Sequence, residues 1–295
     1  MKEHRYGYLF VAPCVAVIVL VLGVPMLFVL GVSFFKYRPM ISLEWVGIDN
    51  YISVLKDPLF YVAIKNTFIF TIFSVLFHVI LGMIAALLLN RKFFGRRMVR
   101  ILYLLPWMLS YVVGAITWKW LLNGSYGIFN EILLKVGIIN SYHAWLGNPK
   151  TAMLFLIIAN IWKQFPYVML MFIAGLQSIP NEQYEAASID GSGALQTFVS
   201  VTLPNMKSVI IITSTLDFIW SFKQFDLIYT MTGGGPGTST EVLSTVIRNT
   251  FFSAFDFGKA SATAMFLFII VMLISTFYAR LVLPKPNDSS GGAYK

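Results

Sequence analysis

The chain has 295 residues, 58% hydrophobic and 12% charged. Soluble domains carry roughly 25% charged residues, so this sequence lacks the polar groups to cover a water-facing surface of its size. Its 22 basic and 13 acidic residues give a formal charge of +9. The basic residues gather at the ends of apolar runs, which is a pattern of membrane topology and argues against a nucleic-acid partner. Cys14 is the only cysteine, which excludes an intramolecular disulfide, CxxC chemistry and a cysteine-cluster metal site.

The expected fold is all-α and integral to the membrane, one transmembrane domain over 1–295. Six spans are expected, at 8–35, 67–89, 99–122, 151–176, 208–231 and 259–283, each near the roughly 20 residues a bilayer requires. The first apolar run is far longer than a signal-peptide core of roughly 7–15 residues, so it reads as a membrane helix. The loop between the second and third spans carries Arg91, Lys92, Arg96, Arg97 and Arg100 and no acid, which places it in the cytoplasm. An even number of spans then puts both termini inside. The loop after the first span mixes Lys36, Arg38, Lys56 and Lys65 with Glu44, Asp49 and Asp57, as expected outside. Residues 123–127 read as a turn cluster and 128–136 as an amphipathic helix. Thr232-Gly233-Gly234-Gly235-Pro236-Gly237 predicts a tightly turned exit from the fifth span. No Gly-Lys-Ser/Thr follows that glycine run, which weakens a phosphate-cradling reading. No internal repeat is visible, and this argues against transporters built from inverted halves. Residues 287–292 are expected to be unstructured.

The connector between the fourth and fifth spans, 177–207, has a logic of its own. Pro180 and Asn181 start a short helix. Glu185-Ala186-Ala187 gives small residues that let a partner surface approach closely. Asp190-Gly191-Ser192-Gly193 breaks the helix and reverses the chain. A second amphipathic piece, 195–203, leads to Pro204 ahead of the next span. From composition alone this segment is simply a cytoplasmic connector.

Its spacing adds more. Glu-Ala-Ala, then Asp-Gly, then Leu-Pro resembles the EAA loop of ABC-importer permeases. In that family the loop forms a coupling helix seated in a cleft of the nucleotide-binding subunit. The resemblance implies that Glu185, Ala186, Ala187, Asp190, Gly191, Leu203 and Pro204 are the docking and loop-shaping positions. It extends from the second span to the sixth. Leu104-Leu105-Pro106-Trp107, Asn160-Ile161-Trp162, Phe165-Pro166-Tyr167 and Gly233-Gly234-Gly235-Pro236 are similar to words of the MalF-like carbohydrate permeases. The chain departs from MalF in lacking two further N-terminal spans and a large periplasmic domain. It is closer in plan to six-span members serving oligosaccharides or glycerol phosphate. The implied fold is the type I importer permease fold (MetI/MalF-like).

Ionisable groups inside a span are costly and usually face a cavity or a partner. The fourth span carries Asn160, Lys163 and Gln164 beside Pro166, a residue that loosens a helix by removing a backbone donor. The fifth carries Asp217, Ser221, Lys223, Gln224 and Asp226. Asp217, Ser221 and Gln224 follow i, i+4, i+7 spacing and so share a helical face. Trp107 and Tyr111, again i, i+4, are placed to line the same cavity. Packing alternatives stand beside these readings: interfacial contacts for the aromatics, and ion pairs with Asp217 or Asp226 for Lys163 and Lys223. His78 reads as a buried hydrogen-bonding group before a proton relay. By the resemblance, the positions corresponding to the sugar-contacting ones are Trp107, Tyr111, Asn160, Lys163, Gln164, Tyr167, Asp217, Ser221 and Gln224. Aromatic faces with amides and carboxylates suit an oligosaccharide, and the two lysines suit an acidic one such as a uronate-containing glycan.

The resemblance implies an importer permease in a bacterial inner membrane, paired with a second, related permease. Two copies of a cytoplasmic ATPase would carry ATP and Mg, and an extracytoplasmic solute-binding protein would deliver substrate. This chain itself is expected to bind no cofactor, metal or nucleic acid and to catalyse nothing. The competing expectation is an ion-coupled secondary transporter using Asp217, Asp226 or His78. A membrane enzyme comes third, since no cluster of His, Cys or carboxylates is apparent.

Overall fold

The computed structural model describes residues 2–282. The end expected for the sixth span, at residue 283, and the tail at 287–292 lie outside them. The chain opens with α1 (Lys2–Ile18), a π-bulge (Val19–Gly23) and α2 (Val24–Val32). Pro25 follows the bulge by two residues. A proline has no N–H to donate and its ring crowds the carbonyl four residues back, here Val21, so a widened turn relieves the conflict. No residue in the most apolar part of the run Phe10–Val32 is buried within the chain.

An antiparallel hairpin follows, β1 (Phe35–Arg38) and β2 (Ser42–Trp45), with Phe35 opposite Trp45 and Tyr37 opposite Leu43. Next come α3 (Asp49–Lys56) and the 33-residue α4 (Pro58–Asn90), which contains the second expected span. Asp57 caps α4 by accepting from the Leu59 N–H at 3.0 Å, and Lys259 reaches the same carboxylate at 2.7 Å. The Lys259 hydrogen bond holds the Asp57 carboxyl below its ordinary range against a smaller opposing effect of burial.

The third expected span is two helices, α5 (Arg96–Met108) and α6 (Tyr111–Leu121), bent by 94°. Leu109 and Ser110 are extended at the break, and the Ser110 hydroxyl caps α6 by accepting from the Val113 N–H at 3.2 Å. A serine with this reach offers the backbone an alternative to continuing the helix. The amphipathic α7 (Ile128–Lys135) stands where the sequence places it, and α8 (Ala152–Gln177) carries the fourth span. Buried Asn130 fastens the loops around α7. Its amide donates to the carbonyls of Asn123 and His143, and its oxygen accepts from the His143 N–H and the Trp145 indole.

The connector forms α9 (Asn181–Ile189) and α10 (Ala194–Thr197), then a second π-bulge (Phe198–Thr202) runs directly into α11 (Leu203–Phe222). Ala194–Phe222 is thus one 29-residue apolar run, and Pro204 does not separate a loop piece from the span as expected. The bulge makes this continuity possible by the device seen before Pro25. The fifth span also ends early, at Phe222, before the short α12 (Asp226–Met231); α13 (Leu243–Phe252) and α14 (Phe257–Val282) complete the chain. Among the described residues, five helices are long and apolar enough to cross a membrane, and six if the bent pair counts as one span.

The glycine run before α13 is structural. Gly233, Gly234 and Gly237 all have positive φ. A side chain at Gly234 would collide with the carboxylate of Glu241, so the backbone closes onto that group. Asn66 of α4 donates to the carbonyls of Thr238 and Glu241 at 3.1 and 2.9 Å, tying the same loop to the bundle.

Contacts divide the chain into two compact units. One holds the described residues up to Val62 with Leu243–Ile269. In it Arg38 pairs with Asp256 at 2.9 Å, and Tyr51 and Phe60 pack on Phe266. The other holds Ala63–Val242 with the described residues from Ile270. It contains two apolar clusters. One joins α6, α8 and α12 around Leu156 and Leu227, and the other joins α4, α8 and α11 around Met169, Phe172 and Met206. Gly82 lets α4 approach the backbone of α8 at Met169, where a β-carbon would have no room.

Candidate substrate cavity and coupling loop

Within the second unit a cavity of about 350 Å³ is lined by Trp107, Tyr111, Gln164, Trp220, Lys223, Gln224, Phe225 and Asp226. Two chain breaks shape it. The first, at Leu109 and Ser110, turns α5 away from α6 and leaves Trp107 and Tyr111 on either side of the bend. They are therefore not i, i+4 neighbours on one helix, though both reach the cavity. The second break ends α11 at Phe222. Gln224 sits in the turn beyond, its N–H bonded to the Ser221 carbonyl at 3.2 Å. The expected i, i+7 relation of Gln224 to Asp217 fails for that reason, and the turn carries Gln224 to the cavity wall instead.

Lys163 explains how the first break is tolerated. A helix end leaves carbonyls without donors. Trp107 lies in the last turn of α5, and the Lys163 ammonium donates to its carbonyl at 2.8 Å. The same ammonium lies 4.7 Å from the centre of the Tyr111 ring. A cation at a helix C-terminus is also favoured by the helix dipole. Among the described residues Lys163 makes no ion pair with Asp217 or Asp226, contrary to the expected packing alternative. Tyr111 in turn donates its hydroxyl to Gln164 Oε1 at 3.0 Å, which fixes the amide orientation at the wall.

Tyr167 stands behind the lining, stacked on Trp107 at 6.0 Å between ring centres and against Trp220 at 4.9 Å. Asn160, Asp217 and Ser221 are 1%, 0% and 4% exposed and do not line the cavity. Asp217 instead meets His78, whose Nδ1 lies 2.8 Å from Oδ2. Lys223 and Asp226 are exposed in the cavity wall, unlike the buried Lys163. Trp220 and Phe225 are cavity residues that the sequence did not single out. Trp220 lies in the apolar run of α11, and Phe225 stands in the turn beyond Phe222, between Gln224 and Asp226.

The connector positions singled out by the resemblance lie on α9, the turn after it and the start of α11. Glu185, Ala186 and Ala187 lie on α9, with Glu185 and Ala186 exposed and Ala187 buried. Asp190 ends the helix and Gly191 takes φ +74°. The Ser192 N–H bonds the Ala187 carbonyl at 2.9 Å and the Gly191 N–H bonds the Ser188 carbonyl at 3.1 Å. This is the glycine-dependent helix stop that satisfies orphan carbonyls. Asn205 donates to Gln183 Oε1 at 2.7 Å, and the Tyr184 and Thr202 hydroxyls meet at 3.2 Å, so α9 is held to the start of α11. Leu203 and Pro204 sit in the first turn of α11, both exposed. Ile189 and Leu195 are 86% and 77% exposed, an apolar display at the turn.

Long apolar helices, one bent pair among them, and a polar, aromatic-walled cavity within the second unit are the features of a membrane transport protein. A family model described as "Binding-protein-dependent transport system inner membrane component" matches residues 78–285. The chain belongs to that family, the permeases of ABC importers, and to its MalF-like branch. It is 36% identical over 281 residues to the trehalose/maltose transport system permease protein MalF of Thermococcus litoralis, covering 95% of this chain and 94% of that one. It is 33% identical over 287 residues to the sulfoquinovosyl glycerol transport system permease protein SmoG of Agrobacterium fabrum, covering 97% and 92%. Among solved structures, a chain of a bacterial ABC transporter involved in the import of the acidic polysaccharide alginate superposes with a TM-score of 0.82 at 24% identity, over 95% of this chain and 96% of that one. A chain of the MetNI methionine ABC transporter gives 0.56 at 16% identity, over 77% and 97%. These two likenesses concern the fold.

Proposed function

We propose that this chain is the pore-forming permease of an importer for oligosaccharides. The observation that carries the reading is the cavity wall. Trp107, Tyr111, Trp220 and Phe225 supply aromatic faces, and Gln164, Gln224 and Asp226 supply hydrogen-bonding groups beside them. Sugars present apolar C–H faces and a rim of hydroxyls, and such a wall complements both. The names of MalF and SmoG support the class. Asn160, Lys163, Tyr167, Asp217 and Ser221 belong to the same site as its second layer. The acidic-substrate reading rests on Lys223. It is the exposed lysine of the cavity, whereas Lys163 is committed to the Trp107 carbonyl.

The partners in this reading are a second related permease, two cytoplasmic ATPase subunits that hold ATP and Mg, and a solute-binding protein outside. The α9–α10 turn faces the cytoplasm with both termini. Glu185, Ala186, Ala187, Asp190, Gly191, Leu203 and Pro204 shape it, and Ile189 and Leu195 enter the ATPase cleft. Closure of the ATPase then moves the turn and shifts the spans between two states of access.

The test is uptake into proteoliposomes by the assembled complex. Transport of oligosaccharide that requires ATP and the binding protein supports the reading, and Glu185→Ala should leave the subunit assembled while uncoupling hydrolysis from uptake. Uptake by this chain alone on an ion gradient would return the case to a secondary transporter. Equal transport of neutral and uronate oligosaccharides by wild type and Lys223→Ala would remove the acidic part.

A further inference from the structure

His78 has no exposed surface, and both its ring nitrogens face acceptors. Nδ1 lies 2.8 Å from Asp217 Oδ2 and Nε2 lies 3.2 Å from the Asn160 backbone carbonyl. A neutral imidazole carries one N–H, which satisfies only one of two acceptors. Two contacts of hydrogen-bond length therefore require two protons within the His78–Asp217 pair. One arrangement is an imidazolium beside a carboxylate. The other is an imidazole donating from Nε2, with a protonated carboxyl donating to Nδ1. The pair is neutral as a unit in both, which suits a site where an uncompensated charge is costly.

The pair spans three helices, since His78 lies on α4, Asn160 on α8 and Asp217 on α11. Two of these residues each carry a further buried polar atom. Asp217 Oδ1 and Asn160 Nδ2 are buried and without a partner among the described residues. Asn160 is one helical turn from Gln164, and Asp217 is three residues before Trp220, and both of those neighbours line the cavity.

We propose that His78 is a positioning residue of the transport site: its imidazole shares two protons with Asp217, pins α8 at Asn160, and so fixes α8 and α11 behind the cavity wall that Gln164 and Trp220 form. The two-proton clasp stands on geometry alone. The positioning of the cavity wall rests on the sugar reading above.

The experiment compares wild type, H78N, D217N and H78N/D217N in the assembled complex. H78N leaves a buried carboxyl with no second proton holder, and recovery of intact complex should fall about fivefold or more. H78N/D217N should restore recovery to within about twofold, because an amide of the same shape needs no counter-charge. A pure packing role for His78 predicts no rescue, since D217N changes no volume. Dicyclohexylcarbodiimide, an apolar reagent for protonated carboxyls, gives a sugar-independent reading by mass spectrometry. Asp217 should be modified in H78N, where the carboxyl alone holds the proton; in wild type, resistance marks the imidazolium–carboxylate arrangement and modification the protonated carboxyl. Failure of the rescue, or an Asp217 that stays unmodified in H78N, overturns the clasp. Uptake is read with maltose as the probe, and H78N/D217N should raise its KM about fivefold or more while ATP hydrolysis by the complex persists. An unchanged KM with the rescue intact overturns the positioning of the cavity wall and leaves the clasp supported. Absence of maltose uptake in wild type counts against the sugar reading and the positioning role together, and the clasp is then decided by rescue and modification.

Discussion

Replacing Lys163 by methionine keeps the aliphatic stem and removes the ammonium. The Trp107 carbonyl, met at 2.8 Å in the wild type, then has no donor at the end of α5. An orphaned carbonyl at a buried site costs about 1–3 kcal/mol. Loss of the contact with the Tyr111 ring, 4.7 Å away, adds about 0.5–1 kcal/mol. Methionine also spares the cost of holding an ammonium that is 3% exposed, which offsets part of this. The net expectation is a loss of about 2 kcal/mol, or roughly 4–8 °C in the midpoint of a cooperative thermal transition. The assay is thermal unfolding of the purified complex in detergent, run beside uptake of neutral and acidic oligosaccharides. Lys163→Met should lower the midpoint and impair both substrates alike, because the bend that forms the cavity is loosened. An unchanged midpoint with a loss confined to acidic substrates would refute the capping argument and make Lys163 a substrate-reading residue. Lys223→Met is the contrasting case. Its head is exposed in the cavity wall, so the midpoint should hold and the change should appear in KM for acidic substrate.

Three further outcomes are expected. Gly191→Ala places a β-carbon on a residue at φ +74° and should cost about 1 kcal/mol at the α9 stop, read as faster proteolysis of the α9–α10 turn in the detergent-solubilised subunit. Asn130→Ala removes a side chain with four hydrogen bonds and should destabilise the loops flanking α7 by roughly 3 kcal/mol, seen as faster amide exchange at His143 and the residues beside it. The Asp57 carboxyl is held below its ordinary range, so its contribution is fully present above about pH 4, the usual value for an unfolded aspartate, and is lost as pH falls through the lowered one. An acid titration of thermal midpoints should therefore show a loss at the acid end that Asp57→Asn lacks, and parallel curves for the two proteins would refute the linkage.

Much of the architecture was legible before any coordinates. A membrane helix needs a long apolar run, and a run of that length is visible in any composition window. The start of α9 at Pro180 and Asn181 and its stop at Asp190-Gly191 were legible for a similar reason. Proline at a helix start and glycine at a helix stop are local requirements of the backbone. The breaks were harder. Ser110 capping α6 and the end of α11 at Phe222 interrupt apolar runs without a glycine or proline at the break, so the third span read as straight and the fifth as longer. The opposite error occurred at Pro204, where a local breaker was absorbed by a π-bulge and the helix continued.

The candidate site divides along the same line. The sequence by itself determined which polar residues lie at membrane depth, because burying any of them demands a partner or a cavity. It also set the small-residue and turn pattern of the connector. Only the tertiary structure decided how those polar groups are used. It gave Lys163 to the Trp107 carbonyl and Asp217 to His78, and left Lys223, Gln224 and Asp226 to the cavity. The partners in those pairings lie 56 and 139 residues apart in the chain. Periodicity speaks only of neighbours on one helix, and which helices meet is settled by the packing of the bundle.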